Sequence, residues 1–597
     1  MKKAIFFLVL VFSSFTFLLA QQNKLQGRIY VKTGSSGDGS SWSNAAGNLS
    51  TVLQNASNSE IWVAAGTYKA DNTDATTSFI LNNGNYMFGG FLGNEASISE
   101  RATSDVDGNG TIEPWEFTNA SILTGELQGD ADSSNNTHHI LRMLQGDNHT
   151  LIDGFTITNG YSIDSIASGI IADSGYIRNC IVNNCGHHSH NEDETIHQVY
   201  GAGIAAFKSN LGYVKVTNCT SVPVNVASWG VGTGGGIYSN MSTLENCTVS
   251  NCRIIPAYYT DVFGGCLFAN QSSINNCTFS EGYLSSNDGN YGTYGGGVAL
   301  ANGCLMKNSE IRNCSSKTFG GGIYTENSNI LNCNIHDNQV YGPEMAEIPS
   351  GGGIYIYNGN LTGSLIAKNR ILEHEFSRSY GAGIYGGTII NCTVVKNSGA
   401  IYGDGIYAPL SVVNSIFWGN ENDEGIDGGL NNAIQGATDL TNGTIILEAE
   451  NSGNEAGKYY PWFIDPESNW DIGPSSSCIN MGTTDPPTQI GTTDLLSRIR
   501  VYGGRIDIGA YEVNSFQGIA PAGISHYTIY PNPAKDIITI CGSTPPKEIT
   551  VYSVSGECVS KVKPDKQGRI NIKRLDPGVY IIHTSDSESI PLRFIKQ

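Results

Sequence analysis

The chain of 597 residues reads as all-β: a solenoid of parallel β-helix coils followed by a small C-terminal β module. Two observations carry the solenoid. A glycine-rich element returns eight times, as GAGIAAF at Gly201, GGGIYSN at Gly234, GGCLFAN at Gly264, GGGVALAN at Gly295, GGGIYTEN at Gly320, GGGIYIYN at Gly351, GAGIYGG at Gly381 and GDGIYAP at Gly403. Each copy is followed by a second element, mostly Asn-Cys between apolar residues, at Cys219, Cys247, Cys277, Cys333 and Cys392, with Ser309, Ser364 and Ser415 in the same place. Self-similarity at this period marks a stack of units that bury their apolar faces against one another. The C-terminal module is read from alternating apolar strands and Pro/Gly turns after Gly523.

From the apolar residue of each GGGI-type element to its Cys or Ser the step is 8 to 15 residues, and the return to the next copy is 14 to 21. The shortest full turn, 22 residues, accommodates three short strands of about five residues each with their corners. In a stacked coil glycine supplies corner conformations that other residues resist. Asparagine tolerates the left-handed region and bonds along a ladder. A thiol fits a narrow apolar interior. The 14 cysteines are therefore expected to form an internal ladder of free thiols, although close pairs such as Cys180 with Cys185 and Cys247 with Cys252 keep a disulfide framework open.

At the N-terminus, Lys2 and Lys3, an apolar run from Ala4 to Leu19 and the small Ala20 describe a secretory signal peptide over residues 1–20. No later segment is long and apolar enough to span a bilayer, and the first cysteine is Cys180, too late for a lipidated mature start. NLSTVLQNAS, Asn48 to Ser57, places Leu49, Val52 and Leu53 at helical spacing, a short helix to cover the first coils. A net charge of −21 without any basic tract excludes nucleic acid as a partner.

Three groups of residues carry chemistry. DVDGNGTIEPWE, Asp105 to Glu116, fits the calcium-loop pattern in full. Asp105, Asp107, Asn109, the Thr111 carbonyl, Glu113 and a bidentate Glu116 are the expected calcium ligands, with Gly110 at the sharp turn and Pro114 unusual for the start of an exiting helix. The second group is aromatic: Tyr200, Trp229, Phe263, Tyr294, Phe319, Tyr380 and Tyr402 stand just ahead of the glycines, a platform for sugars if exposed and a packing ladder if buried. The third comprises His187, His188, His190, Glu192, Asp193, Glu194 and His197 on one return arm and Glu373, His374 and Glu375 on another, titratable clusters without a recognised ligand spacing. No nucleophile elbow, Walker loop or dinucleotide fingerprint is present.

YVKTGSSGDGSSWSNA, EIWVAAGTY, FGGFLGNE, LIDGFTITNG, the repeats and GGRIDIGAYE together resemble the right-handed parallel β-helix proteins of pectin-lyase-like fold exported by Bacteroidetes. IYPNPAKDIITI, VYSVSGE, LDPGVYII and the basic end resemble the type A C-terminal sorting domain of the type IX secretion system, which implies an immunoglobulin-like β-sandwich. The expected organisation is a signal peptide over 1–20, the β-helix with its cap over 21–516, a linker over 517–525 and the sorting domain over 526–597. The resemblance implies export through the periplasm to the outer surface or the medium, with the type IX machinery as a partner. It leaves function among three readings: a glycan- or surface-binding protein, a polysaccharide lyase or glycoside hydrolase, and a passive adhesin. The Asn-Thr-Asp, Asp-Asp and Gly-His-Gly set of polygalacturonases is absent, so no catalytic residue is assigned.

Overall fold

The computed structural model describes residues 27–130, 132–144, 150–164, 166–188, 198–223, 230–256, 260–285, 292–342, 348–372, 378–420, 429–436, 441–447, 461–483, 490–501, 505–513, 528–530, 534–541, 548–553, 558–565, 568–584 and 592–596. The expected signal peptide and linker lie outside them. The chain divides into two compact units, Met1–Asn514 and Ser515–Gln597.

The first unit is a parallel β-helix. A continuous parallel sheet of 34 short strands is accompanied by parallel sheets of eight and four strands. The apolar residue of each glycine-rich element pairs with its counterpart one coil on, from Ile204 through Ile237, Leu267, Val298, Ile323, Ile354 and Ile384 to Ile406. All eight are fully buried. Between successive glycine-rich elements a coil advances by 22 residues at its shortest, Ile384 to Ile406, and it advances by 34 between Ile170 and Ile204.

Each coil is cut more finely than the three strands expected. One coil runs through Ile237–Asn240, Thr243–Glu245, Thr248–Ser250, Arg253–Ile254 and Thr260–Phe263. The cause is local: Met241, Asn246 and Asn251 all hold φ near +50°, so the chain turns every five residues. This corrects one equivalence. Thr220 pairs with Arg253 and Lys215 with Thr248, so Cys219 stands opposite Cys252, and Cys247 stands opposite Val214. The 15-residue step to Cys219 is the usual ten plus one five-residue facet.

Two interior columns result. In one, the backbone N–H groups of Cys277, Cys333 and Cys392 donate to the hydroxyls of Ser309, Ser364 and Ser415 on the next coil, at 3.0–3.1 Å. In the other, Cys185, Cys219, Cys252, Gly282, Cys314, Asn338, Asn369 and Asn397 succeed one another. The cysteines other than Cys541 are unpaired thiols, and of these Cys558 alone is exposed. Burial pushes the thiols of Cys180, Cys333 and Cys392 up to about 12, so they stay protonated.

The glycine run now has a physical reason. Its first glycine takes φ of +62° to +74° in every copy. Its third faces the second column: a Cβ on Gly203, Gly236 or Gly297 would lie 2.8–3.0 Å from the sulfur of Cys219, Cys252 or Cys314. The one copy that breaks the pattern, GGCLFAN, exchanges the partners. There Cys266 supplies the side chain, and the column residue opposite its sulfur is Gly282. Interior volume is conserved coil by coil.

The expected N-terminal helix is present as Leu49–Asn55, capped by the Asn48 side chain on Thr51 N–H, with Leu49 and Leu53 buried in the main core. At the other end, the described residues between 461 and 513 fold back on the outside of the coils. Asn332, Asn391 and Asn414 donate side-chain N–H groups to the carbonyls of Thr493, Asp507 and Thr483.

The second unit is a small two-sheet antiparallel β-sandwich, with sheets of three and four strands. Ile538, Ile540 and Ile570 of one sheet meet Ile549, Val551, Ile582 and Phe594 of the other in one core.

Candidate functional site

The acidic loop belongs to a long insertion between Tyr86–Phe91 and Ser121–Thr124. The equivalent corner of the next coil is the single residue Gly154. No helix flanks the loop: its neck is an antiparallel bridge between Thr103 and Phe117, with Ser104 N–H donating to the Glu116 carbonyl at 3.2 Å. Carboxylate oxygens of Asp105, Asp107 and Glu116 lie within 4.8 Å of one another. Glu116 is buried, accepting from the N–H groups of Val106, Asp107 and Glu113, while Asp105 gathers those of Gly108, Asn109 and Gly110. Asn109 is turned to Thr111 N–H and to Glu113, whose second carboxylate oxygen is buried without a partner. Thr111 is exposed. Of the six expected ligands, three carboxylates converge. Lys215, from a coil strand, reaches Asp107 at 3.0 Å and holds its carboxyl below the usual range.

The aromatic residues form two interlocked outer ladders. Ahead of the glycines run Tyr200, Phe263, Tyr294, Phe319, Tyr380 and Tyr402; after them, Tyr238, Phe268, Tyr324, Tyr355, Tyr385 and Tyr407. The rings stack along the coil axis, as between Phe263 and Tyr294 at 4.4 Å and 8°, and between Tyr355 and Tyr385 at 4.5 Å and 7°. All but the exposed Tyr402 are at least half-buried against neighbouring rings, the arrangement of a packing ladder. Trp229 lies outside the described residues, as do His190, Glu192, Asp193, Glu194, His197, Glu373, His374 and Glu375.

His187 and His188 diverge. His187 is buried in contact with the Asp164 carbonyl, its Nδ1 3.3 Å from the Ser221 hydroxyl, and burial lowers it to about 4. His188 faces outward, its Nδ1 3.0 Å from the Tyr161 hydroxyl. That pair borders a cleft of about 270 Å³ that is also lined by Ser133, Asn184, Asn218 and Thr220.

The cleft opens onto the outward face of the eight-stranded sheet. One outward column there runs Tyr161, Gly186, Thr220, Arg253, Tyr283, Ser315, Gln339 and Arg370. Tyr283 and Tyr341 lie parallel at 6.0 Å across the coil of Ser315, Tyr341 donating to the Leu284 carbonyl. Composition and motif searches pass over these residues because each strand is two or three residues long. Their common signal is position: each directly follows a residue of the second interior column.

Residues 528–597 match the family described as secretion system C-terminal sorting domain. The chain carries a type IX sorting tail. It is thus exported to the cell surface or released, and the tail implies contact with the type IX machinery. Among the described residues no helix is long and apolar enough to cross a membrane. No curated protein matches the chain. Among solved structures, an alginate lyase from Paenibacillus sp. str. FPU-7 is similar at 11% identity and a TM-score of 0.23, over 58% of this chain and 98% of that one. A mannuronic acid specific polysaccharide family 6 lyase from human gut microbiota is similar at 8% identity and a TM-score of 0.19, over 59% and 85%. Neither likeness bears on chemistry, and the fold stands on the strand register.

Proposed function

We propose that the sorting tail delivers a polysaccharide-binding protein, which holds its ligand along the outward face of the eight-stranded sheet. The observation that carries this reading is the face itself. Among the described residues the glycine-rich strands are flanked by the stacked aromatic ladders, the acidic loop lies over the Asp153 and Lys215 coils, and the fold-back segment lies over Asn332 to Asn414. The eight-stranded face keeps polar and aromatic side chains in register over successive coils, with a cleft at one end. Binding of the full chain to a panel of plant, algal and host polysaccharides tests it. Tyr283→Ala is expected to weaken binding several-fold without changing the fold, and silence across the panel counts against the reading.

A second reading, cleavage, has one observation in its favour: the Tyr161–His188 hydrogen bond beside the cleft is a proton-transfer pair in waiting. New chain ends that disappear with Tyr161→Phe would replace binding by catalysis.

The acidic loop is assigned calcium, with Asp105, Asp107 and Glu116 as carboxylate ligands and Asn109, Thr111 and Glu113 completing an oxygen shell after rearrangement. Its role is to fix the insertion against the coils. Calcium is expected to raise the melting temperature of the wild-type protein and not that of Asp105→Ala or Glu116→Ala; an equal rise in all three would remove the assignment.

A further inference from the structure

Charge on the eight-stranded face runs against the rest of the molecule. The chain carries 54 acidic and 33 basic residues. On this face Arg253 and Arg370 are both exposed, and neither forms an ion pair among the described residues. They stand four strands apart in a single column, about 19 Å at the usual strand spacing. Between them the column holds Tyr283, Ser315 and Gln339 and no carboxylate. The flanking corner residues include two acids, Glu281 and Asp337, and Asp337 is engaged by His336 at 2.7 Å.

We infer that this face selects polysaccharides bearing regularly spaced anionic groups, carboxylate or sulfate, which Arg253 and Arg370 engage at two points of one extended chain. This rests on the polysaccharide-binding reading above and gives it a ligand class. The argument is complementarity. A guanidinium with no ion-pair partner among the described residues, on an exposed strand, is ready for a bidentate bond to either oxyanion, and its planar fork donates to both. Two such groups on a rigid, repeating sheet fix the direction of a linear ligand, and the tyrosine between them contacts the sugar. The wider acidic surface repels a polyanion, so the attraction is confined to this face and weakens as salt screens it.

Equilibrium binding of the full chain to three probes tests the inference: polygalacturonate for carboxylate, dextran sulfate for sulfate, and unsubstituted dextran as the neutral control, each at low and high salt. The expected result is salt-sensitive binding to at least one anionic probe and an affinity loss of about tenfold or more in the Arg253→Ala/Arg370→Ala double variant. Both positions are exposed, so an unchanged melting temperature is the check on folding. Whichever anionic probe binds better identifies the oxyanion. Equal binding to dextran, unaltered in the double variant, overturns the anionic class and leaves the broader reading standing. Anionic binding that survives the double substitution overturns the assignment to this face. No binding to any of the three probes at low salt, alongside binding to a neutral polymer of the wider panel, again overturns the ligand class alone; silence everywhere overturns both.

Discussion

The second interior column of the β-helix is filled by two chemistries. In the earlier coils it holds the thiols of Cys185, Cys219, Cys252 and Cys314; in the later coils it holds the amides of Asn338, Asn369, Asn397 and Asn420. The backbone around them has the same register, and all but the half-buried Asn420 are fully buried. The amides nevertheless form a chain of bonds. Asn338, Asn369 and Asn397 each donate both from the backbone and from the side-chain amide to the oxygen of the next, at 3.0–3.1 Å, and their Nδ2 groups also reach the carbonyls of Ile311, Ile335 and Ile366. Thiols are weak donors and weak acceptors. One column is thus held by shape in its first half and by directional bonds in its second. The difference teaches that a solenoid position asks for volume first, and that polar satisfaction is a separate requirement incurred only when a polar group is chosen.

The largest expected effect falls on the amide half. Asn369→Ala removes the acceptor of Asn338 N–H and of its side chain, and the donor to Ile335 and Asn397. Several buried groups then lack partners in a site without room for bulk solvent, at a cost of about 3–4 kcal/mol. Chemical denaturation checks the magnitude. Hydrogen exchange should show protection lost first at Asn338 N–H, and uniform loss over all coils would contradict a local bond chain. A leucine at the same position is not expected to rescue it, because the carbonyls remain unpaired.

Much of this was legible in the repeat, and the failures are instructive. The stacked glycines and the Leu49–Asn55 helix follow from side-chain size and spacing, whereas spacing favours free thiols without excluding the close pairs, which the register then separates. The repeat alone sets Cys219 one facet away because an Asn-Cys pair looks the same at either of two left-handed corners; only the pairing partner separates them. The fold-back of residues 461–513 carries no periodicity, since its bonds go to side-chain amides of distant coils and not to a strand ladder. Arg253 and Arg370 carry no signal in the sequence for a related reason: an isolated arginine gains meaning only beside the residues stacked above and below it.

The next effect is one of pH and belongs to the later coils. Arg500, Asp494, Asp507 and Glu512 are buried in the fold-back segment, where Glu512 accepts from Asp507 N–H and lies 3.5 Å from Arg500. Burial, then the neighbouring Asp507, pushes Glu512 up to about 8; burial likewise raises Asp507. A carboxyl whose folded value exceeds its unfolded value near 4.3 keeps its proton longer in the native state, so stability falls as pH rises between the two values and levels off above the higher. The slope is at most about 1.4 kcal/mol per pH unit for one such group. Melting curves from pH 5 to 8 (roughly the window between those values) should therefore shift downward, and Glu512→Gln should flatten the response. The thiol half adds no such response, because its Cys185, beside the buried Cys219 thiol, is held well above the ordinary thiol value and stays protonated throughout this window.

The smallest effect is the sharpest test of shape against bonding. Cys219→Ala leaves a gap of one sulfur opposite Gly203, at about 1 kcal/mol, well below the loss at Asn369. If the thiols act through volume alone, the exchange already present at Cys266 and Gly282 should be transferable. Gly203→Ala alone places a Cβ 2.9 Å from the Cys219 sulfur, 2.9 Å from the Gly236 carbonyl oxygen and 3.0 Å from Val216 and strains the coil, whereas adding Cys219→Gly removes the sulfur contact and leaves the other two. Stability of the double variant above that of Gly203→Ala alone, by thermal melting, would show that the column counts volume. Equal loss in both would place the strain at the Gly236 carbonyl, as close to the added Cβ as the sulfur is, and would show that the backbone and not the column volume demands glycine at position 203.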